Sequence, residues 1–129
     1  LVRYEEWGAA LIAAAGPLTN LFIAFILFGV SVVIDPQVGS AIGQFLSIAV
    51  TVNLGFFIFN IIPIPPLDGS RVLYALAPEF IRRGMEAIER FGIIFVFAIV
   101  LLASSVIGAF MVTSIRFFLE LFGRIFGVA

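Results

Sequence analysis

The stretch FNIIPIPPLDGSRVL, Phe59–Leu73, sets one carboxylate, Asp68, directly after an apolar run and three prolines, Pro63, Pro65 and Pro66. Proline has no N–H to donate and holds φ fixed, so this segment cannot continue the preceding helix. Non-helical backbone at membrane depth is tolerated only where protein surrounds it or water lines it. The segment is therefore expected to border a polar cavity, and an ionisable residue beside it is a candidate for function. A plainer reading stands beside this one. Asp68, then Gly69-Ser70-Arg71, then the apolar VLYAL, has the pattern of a helix N-cap, with Arg71 placed at i+3 to screen the acid. Asn60, at the end of the apolar run, has two readings as well. Its amide could stabilise charge developing on a carbonyl oxygen, or it could satisfy a backbone group freed by Pro63 or Pro65. Asn20 is expected to serve the backbone carbonyl opened by Pro17, with an active-site role as the alternative.

The elements that hold these residues are membrane elements. The 129 residues are 63% hydrophobic and 12% charged, with a mean hydropathy of +1.25. That charged fraction is about half the usual share for soluble domains. Apolar runs of this length match a hydrocarbon layer about 30 Å thick. The expected fold is all-α: one membrane-embedded domain over residues 1–129, with about three transmembrane helices, short interfacial helices and a C-terminal amphipathic helix. The spans are expected at residues 8–34, 41–62 and 91–112. The first is expected to be interrupted by Gly16–Asn20. Along the second, Gly39, Gly43, Ser47, Thr51 and Gly55 form a small-residue ridge for close helix approach. Short helices are expected at 70–77 and 79–90, the latter carrying Glu79–Arg83 and Glu86–Arg90 pairs at i,i+4. Residues 114–126 set Arg116, Glu120 and Arg124 on one face, with Phe117, Phe118, Leu121, Phe122 and Ile125 largely on the other.

Charge orients the bundle and excludes some partners. Arg3, Arg71, Arg82, Arg83 and Arg90 gather at the Asp68 end, which predicts that this end faces the cytoplasm. A net charge of −1 offers no basic footprint for nucleic acid. There is no cysteine, hence no disulfide or thiolate metal site, and no histidine, hence no imidazole ligand or proton shuttle within this chain.

The strings AAAGPLTN at Ala13–Asn20 and FNIIPIPPLDGSRVL at Phe59–Leu73 resemble the site-2 protease family, the zinc metalloproteases that cut inside membranes, in its compact prokaryotic branch. The resemblance covers nearly the whole chain. In that family zinc is held by two histidines of a His-Glu-x-x-His helix and by the aspartate of the Leu-Asp-Gly motif. It implies that Asp68 is the third ligand, that a glutamate of the absent helix is the general base, and that Asn60, Asn20, Pro63 and Pro65 line the active site. It also implies that Gly16 and Pro17 form a notch and kink facing the zinc-binding helix, with Gly69 and Arg71 as structural parts of the motif. Catalytic zinc takes three protein ligands and leaves one position for water, which it acidifies. The implied partners are the lipid bilayer, a transmembrane substrate protein and the missing helix, and the implied location is a prokaryotic cell membrane.

Two departures stand out. Ser70 replaces a glycine that the family often has. More seriously, no histidine is present, so this chain alone is expected neither to bind zinc tightly nor to hydrolyse a peptide. Its opening, LVRYEEWGAALIAAAGP, reads as the entry to the helix after the zinc-binding one, and hence as a fragment lacking its N-terminal part. The alternatives are a non-catalytic pseudoprotease that retains membrane helices, or a small transporter subunit whose Asp68 and asparagines line a polar path.

Overall fold

The computed structural model describes residues 2–63 and 67–128, with backbone alone for residues 2 and 3. Among them there are six helices and no strand. Helix α1 runs Val2–Ile34, 33 residues, or about 50 Å at 1.5 Å per residue. It exceeds the hydrocarbon thickness, so its polar start, with Tyr4, Glu5 and Glu6, has room outside the apolar layer.

The interruption expected at Gly16–Asn20 does not occur, and α1 passes straight through Pro17. In lipid a chain that leaves the helical ladder strands polar groups, which favours losing one hydrogen bond at proline over unwinding. The Thr19 hydroxyl reinforces the ladder locally by donating to the Ala15 carbonyl at 2.6 Å.

Asp35, at φ +47°, and Gly39, at φ +83°, turn the chain. Ser40 then caps α2 (Ala41–Ile61), its hydroxyl accepting from the Gly43 N–H. The short turn makes α1 and α2 an antiparallel pair. The buried residues of α2 include Leu46, Val50, Leu54 and Ile58, and Ser47 and Thr51 of the small-residue ridge border a small cavity with Phe28 and Ser31 of α1. On that ridge Gly43 abuts its own capping serine, Ser47 and Thr51 are exposed, and Gly55 faces Met111 of the last helix.

Helix α2 ends at Ile61, as the prolines require, and two short helices follow, α3 (Asp68–Leu76) and α4 (Glu79–Arg90). The third span differs from expectation. Residues 91–112 do not form one helix: α5 (Ile93–Leu102) ends at Ala103, and α6 continues unbroken over Ser104–Ile125. The break falls beside the Ser104-Ser105 pair, a usual site for a helix to bend. No proline follows, so the helix runs through what was expected to be a separate tail. Among the described residues, the three helices long and apolar enough to cross a membrane are thus α1, α2 and α6.

The core lies where these three meet: Ala24, Val50, Leu54 and Phe122, surrounded by Phe25, Phe28, Ile115, Phe118 and Leu119. Phe122 stands edge-on to Phe25 and Phe28, with ring centroids 5.3 and 5.7 Å away. Phe126 lies over Gly29, where a methyl group would come within 2.8 Å of its ring. The packed face of α6 is therefore Ile115, Phe118/Leu119, Phe122 and Phe126. Phe117 and Ile125, expected on that face, are exposed, at 61% and 58%.

Candidate metal centre

Asp68 is the first residue of α3, not its cap. Leu67 occupies the N-cap position with extended backbone and no side-chain hydrogen bond to the helix. The buried Ser70 hydroxyl instead turns back to donate to the Leu67 carbonyl at 2.7 Å. The capping reading of Asp68 is thereby corrected. Its half-buried carboxylate makes no hydrogen bond or ion pair among the described residues. Arg71, expected to screen it, is exposed and lines a different cavity with Tyr74 and Glu86. What the carboxylate does have is a place at the N-terminal end of α3.

Three helices converge on this carboxylate. A cavity of about 350 Å³ is walled by Ala13 and Pro17 of α1, Phe57 and Ile61 of α2, and Asp68 and Val72 of α3. Asp68 is the ionisable group on that wall, and the rest is almost wholly apolar. Gly16 lies against it: a methyl group there would be 3.8 Å from Asp68 Oδ2. The glycine-proline string and the Leu-Asp-Gly string, far apart in sequence, thus adjoin in the fold. A more open cavity of about 480 Å³ lies at the α1–α2 turn, beside Asp35 and Gln44, at the opposite end of α1.

Gly69 explains how α3 comes so near. A Cβ at this position would overlap the Ile61 carbonyl group and fall 2.7 Å from the Ile62 carbonyl oxygen. Only a residue without a side chain lets the first turn of α3 slide under the end of α2. The glycine of the motif is a docking requirement.

The remaining expected residues divide. Pro17 is buried in the cavity wall. Asn60 is half-buried, and its amide donates to the Phe56 carbonyl at 2.9 Å. The carbonyl that Pro63 would have engaged, Phe59, is met instead by the Ile62 N–H at 3.3 Å. Asn53, two turns before Asn60, makes the same i−4 bond to Ala49 at 2.8 Å. Asn20 is half-buried and makes no side-chain hydrogen bond among the described residues, so the expected bond to the carbonyl opened by Pro17 is not formed. Pro63 is exposed at the α2 end. Neither asparagine nor Pro63 lines the Asp68 cavity, and Pro65 lies outside the described residues.

A second cluster, not foreseen, braces α3 from its other end. Arg82 of α4 is 9% exposed. Its Nε donates to the Ala77 carbonyl at 3.1 Å and its Nη2 to the Ala75 carbonyl at 3.3 Å. Its Nη1 donates to Glu6 Oε1 of α1 at 3.2 Å. Glu6 Oε2 lies 2.9 Å from Nη2 but away from its N–H directions, so that contact is electrostatic and not a hydrogen bond. The guanidinium also sits 4.9 Å above the Tyr74 ring. The Tyr74 hydroxyl donates to Glu86 at 2.7 Å, a bond that, with partial desolvation and the negative charge of Glu86, raises the phenol above its ordinary pKa. Glu86 is thus engaged with Tyr74 and not, as expected, with Arg90. The Glu79–Arg83 pair is present at 3.8 Å but highly exposed, and such pairs contribute little. The signal for Arg82 was faint: one more arginine on a charged helix, with nothing local to say it is buried.

Among the described residues no three Asp, Glu, His or Cys side chains converge as metal ligands, so Asp68 could supply one ligand of a larger set. The model of Peptidase family M50 matches residues 35–104, which include α2 through α5 and Asp68. The chain is 37% identical over 91 residues to the "Putative zinc metalloprotease YwhC" of Bacillus subtilis, covering 65% of this chain and 42% of that protein. It is 42% identical over 62 residues to the "Putative zinc metalloprotease MJ0611" of Methanocaldococcus jannaschii, covering 48% of this chain and 31% of that protein. The chain thus spans less than half the length of these curated relatives. No solved structure matches it.

Proposed function

The chain belongs to peptidase family M50, the site-2 protease family that its two motifs resemble, and on that premise we propose that it forms part of an intramembrane zinc protease core in which Asp68 is a metal ligand. The observation that carries this reading is the state of the Asp68 carboxylate. It stands at a helix N-terminus in an apolar-walled cavity, without a hydrogen-bond or ion-pair partner among the described residues, opposite a glycine. A half-buried carboxylate left in that state is costly unless something else compensates its charge. A divalent cation does so.

The donor chemistry fits. A hard carboxylate oxygen suits Zn²⁺ as one of three protein ligands. In this proposal two imidazoles and a general-base glutamate come from a His-Glu-x-x-His helix outside this chain. When bound, the metal acidifies a water molecule and polarises the peptide carbonyl.

This chain's own residues do the positioning. Gly69 and the α2 end set the height of Asp68, and Gly16 keeps the space before it clear of side chain. The apolar wall offers the carboxylate no competing donor. The substrate is a transmembrane segment of another protein, whose backbone hydrogen bonds must open before attack. The arginines of α3 and α4, Arg71, Arg82, Arg83 and Arg90, set the Asp68 end toward the cytoplasm in a prokaryotic cell membrane.

The test uses the whole protein carrying the His-Glu-x-x-His helix, purified in detergent and given a membrane-spanning peptide. Asp68→Ala is expected to abolish cleavage and to lower zinc content. Undiminished cleavage by that variant refutes the ligand role. A parent protein that binds the peptide and cleaves none would instead be a helix-retaining module.

A further inference from the structure

The helix that carries Asp68 is short, nine residues, and cannot hold its own position. Isolated helices of that length are marginal, and their placement comes from tertiary contacts. Its N-terminal end is fitted under α2 by Gly69. Toward its C-terminal end Ala75 and Ala77 are buried, Tyr74 donates to Glu86 of α4, and one buried side chain, Arg82, reaches both the α3 backbone and α1. That guanidinium takes two of the last carbonyls of the α3 segment, Ala75 and Ala77, which have no partners in the helix ladder. With the same planar fork it reaches Glu6 on α1, the helix that also bears Gly16 and Pro17. The side chains of Arg82 and Glu6 are only 11% and 12% exposed, so neither is free to exchange partners with solvent.

We infer that Arg82 and Glu6 are positioning residues for Asp68, clasping the far end of α3 to α1 so that the carboxylate stays opposite Gly16. Neither touches the carboxylate: Arg82 acts through the α3 backbone and Glu6 through Arg82. For its consequence on zinc the inference rests on the reading of Asp68 as a ligand, whereas the clasp itself does not. Lysine at position 82 would keep the charge that compensates Glu6 but could not span two carbonyls and a carboxylate with a rigid fork. The pair can therefore be separated from simple folding.

The experiment uses the whole protein with spin labels on cysteines introduced at Ile12 of α1 and Leu76 of α3, both exposed, in a background free of other cysteines. Arg82→Lys and Glu6→Gln are compared with Leu54→Ala, a core change of independent origin. The interlabel distance distribution is expected to broaden in the first two and to match the parent in Leu54→Ala. Zinc retention against a chelator is expected to fall about ten- to hundredfold in Arg82→Lys, the scale on which outer partners of metal ligands act, with kcat falling more than KM rises. A distance distribution for both clasp variants superimposable on the parent overturns the inference. So does zinc retention no worse than in Leu54→Ala, provided Asp68→Ala lowers it. If Asp68→Ala leaves zinc unchanged, the ligand reading fails, and the distance measurement still decides the clasp.

Discussion

Gly16 and Asp68 lie close together, so that a methyl group on Gly16 would sit 3.8 Å from Asp68 Oδ2. This contact joins the middle of the first helix to the first turn of the third. Gly69 makes the contact possible, and the two glycines answer to different physical demands.

Substituting them should therefore give opposite results. Gly69→Ala forces a Cβ into the Ile61 and Ile62 carbonyls, backbone atoms that cannot swing away. Overpacking of this kind costs about 1–3 kcal/mol or more, and α3 should separate from α2. Gly16→Ala adds a methyl at ordinary contact distance in mid-helix, where alanine is favoured over glycine by about 1 kcal/mol. Thermal unfolding in detergent should show a lower Tm for the first variant and an equal or higher Tm for the second.

Asp68→Ala tests the capping reading directly. A capping aspartate replaced by alanine loses about 1 kcal/mol, but Asp68 makes no cap bond. Apoprotein of Asp68→Asn and Asp68→Ala should unfold within about 0.5 kcal/mol of the parent apoprotein, the usual scatter for changes away from structural features. A loss of about 1 kcal/mol in Asp68→Ala with Asp68→Asn spared, since asparagine caps as well as aspartate, would restore the capping role.

Tyr74 supplies a pH prediction. Its phenol is raised above the ordinary value of 10.0, first through its hydrogen bond to Glu86. A group whose folded pKa is raised contributes its stability below the unfolded pKa and loses it as pH climbs through the folded one. The α3–α4 contact should thus hold fully up to about pH 10 and weaken above it. Ultraviolet titration of tyrosinate in a Tyr4→Phe background should place Tyr74 above 10.0, and Glu86→Gln should bring it back down.

Phe122 and Phe117 separate packed from lipid-facing aromatics on α6. Phe122 is 4% exposed and Phe117 61%. Phe→Ala in water-soluble cores costs about 3–5 kcal/mol. Lipid is as apolar as a neighbouring helix, so Phe122→Ala should fall at or below the low end of that range through lost packing alone. Phe117→Ala should change little. Reversible unfolding in mixed micelles measures both.

Much of this protein is written in short stretches of its sequence. The prolines of NIIPIPP end α2, Ser40 starts it, and Pro78 divides α3 from α4, because each acts on its immediate neighbours' hydrogen bonds. The Leu-Asp-Gly string likewise carries the family and its carboxylate without any need of a fold. Other features were out of local reach. Pro17 is a helix breaker in water, yet the bundle keeps α1 whole because lipid penalises an opened backbone more. Helix α6 is apolar on several faces, and only contact with Phe25 and Phe28 decides that Phe122 turns inward and Phe117 outward. Arg82 reads as a surface charge until Glu6 and two α3 carbonyls are brought around it. Propensity and spacing act over a few residues and settle where helices begin and end. Which face is buried, which charge is paired, and which glycine meets Asp68 depend on surfaces distant in the chain, and close packing alone selects among them.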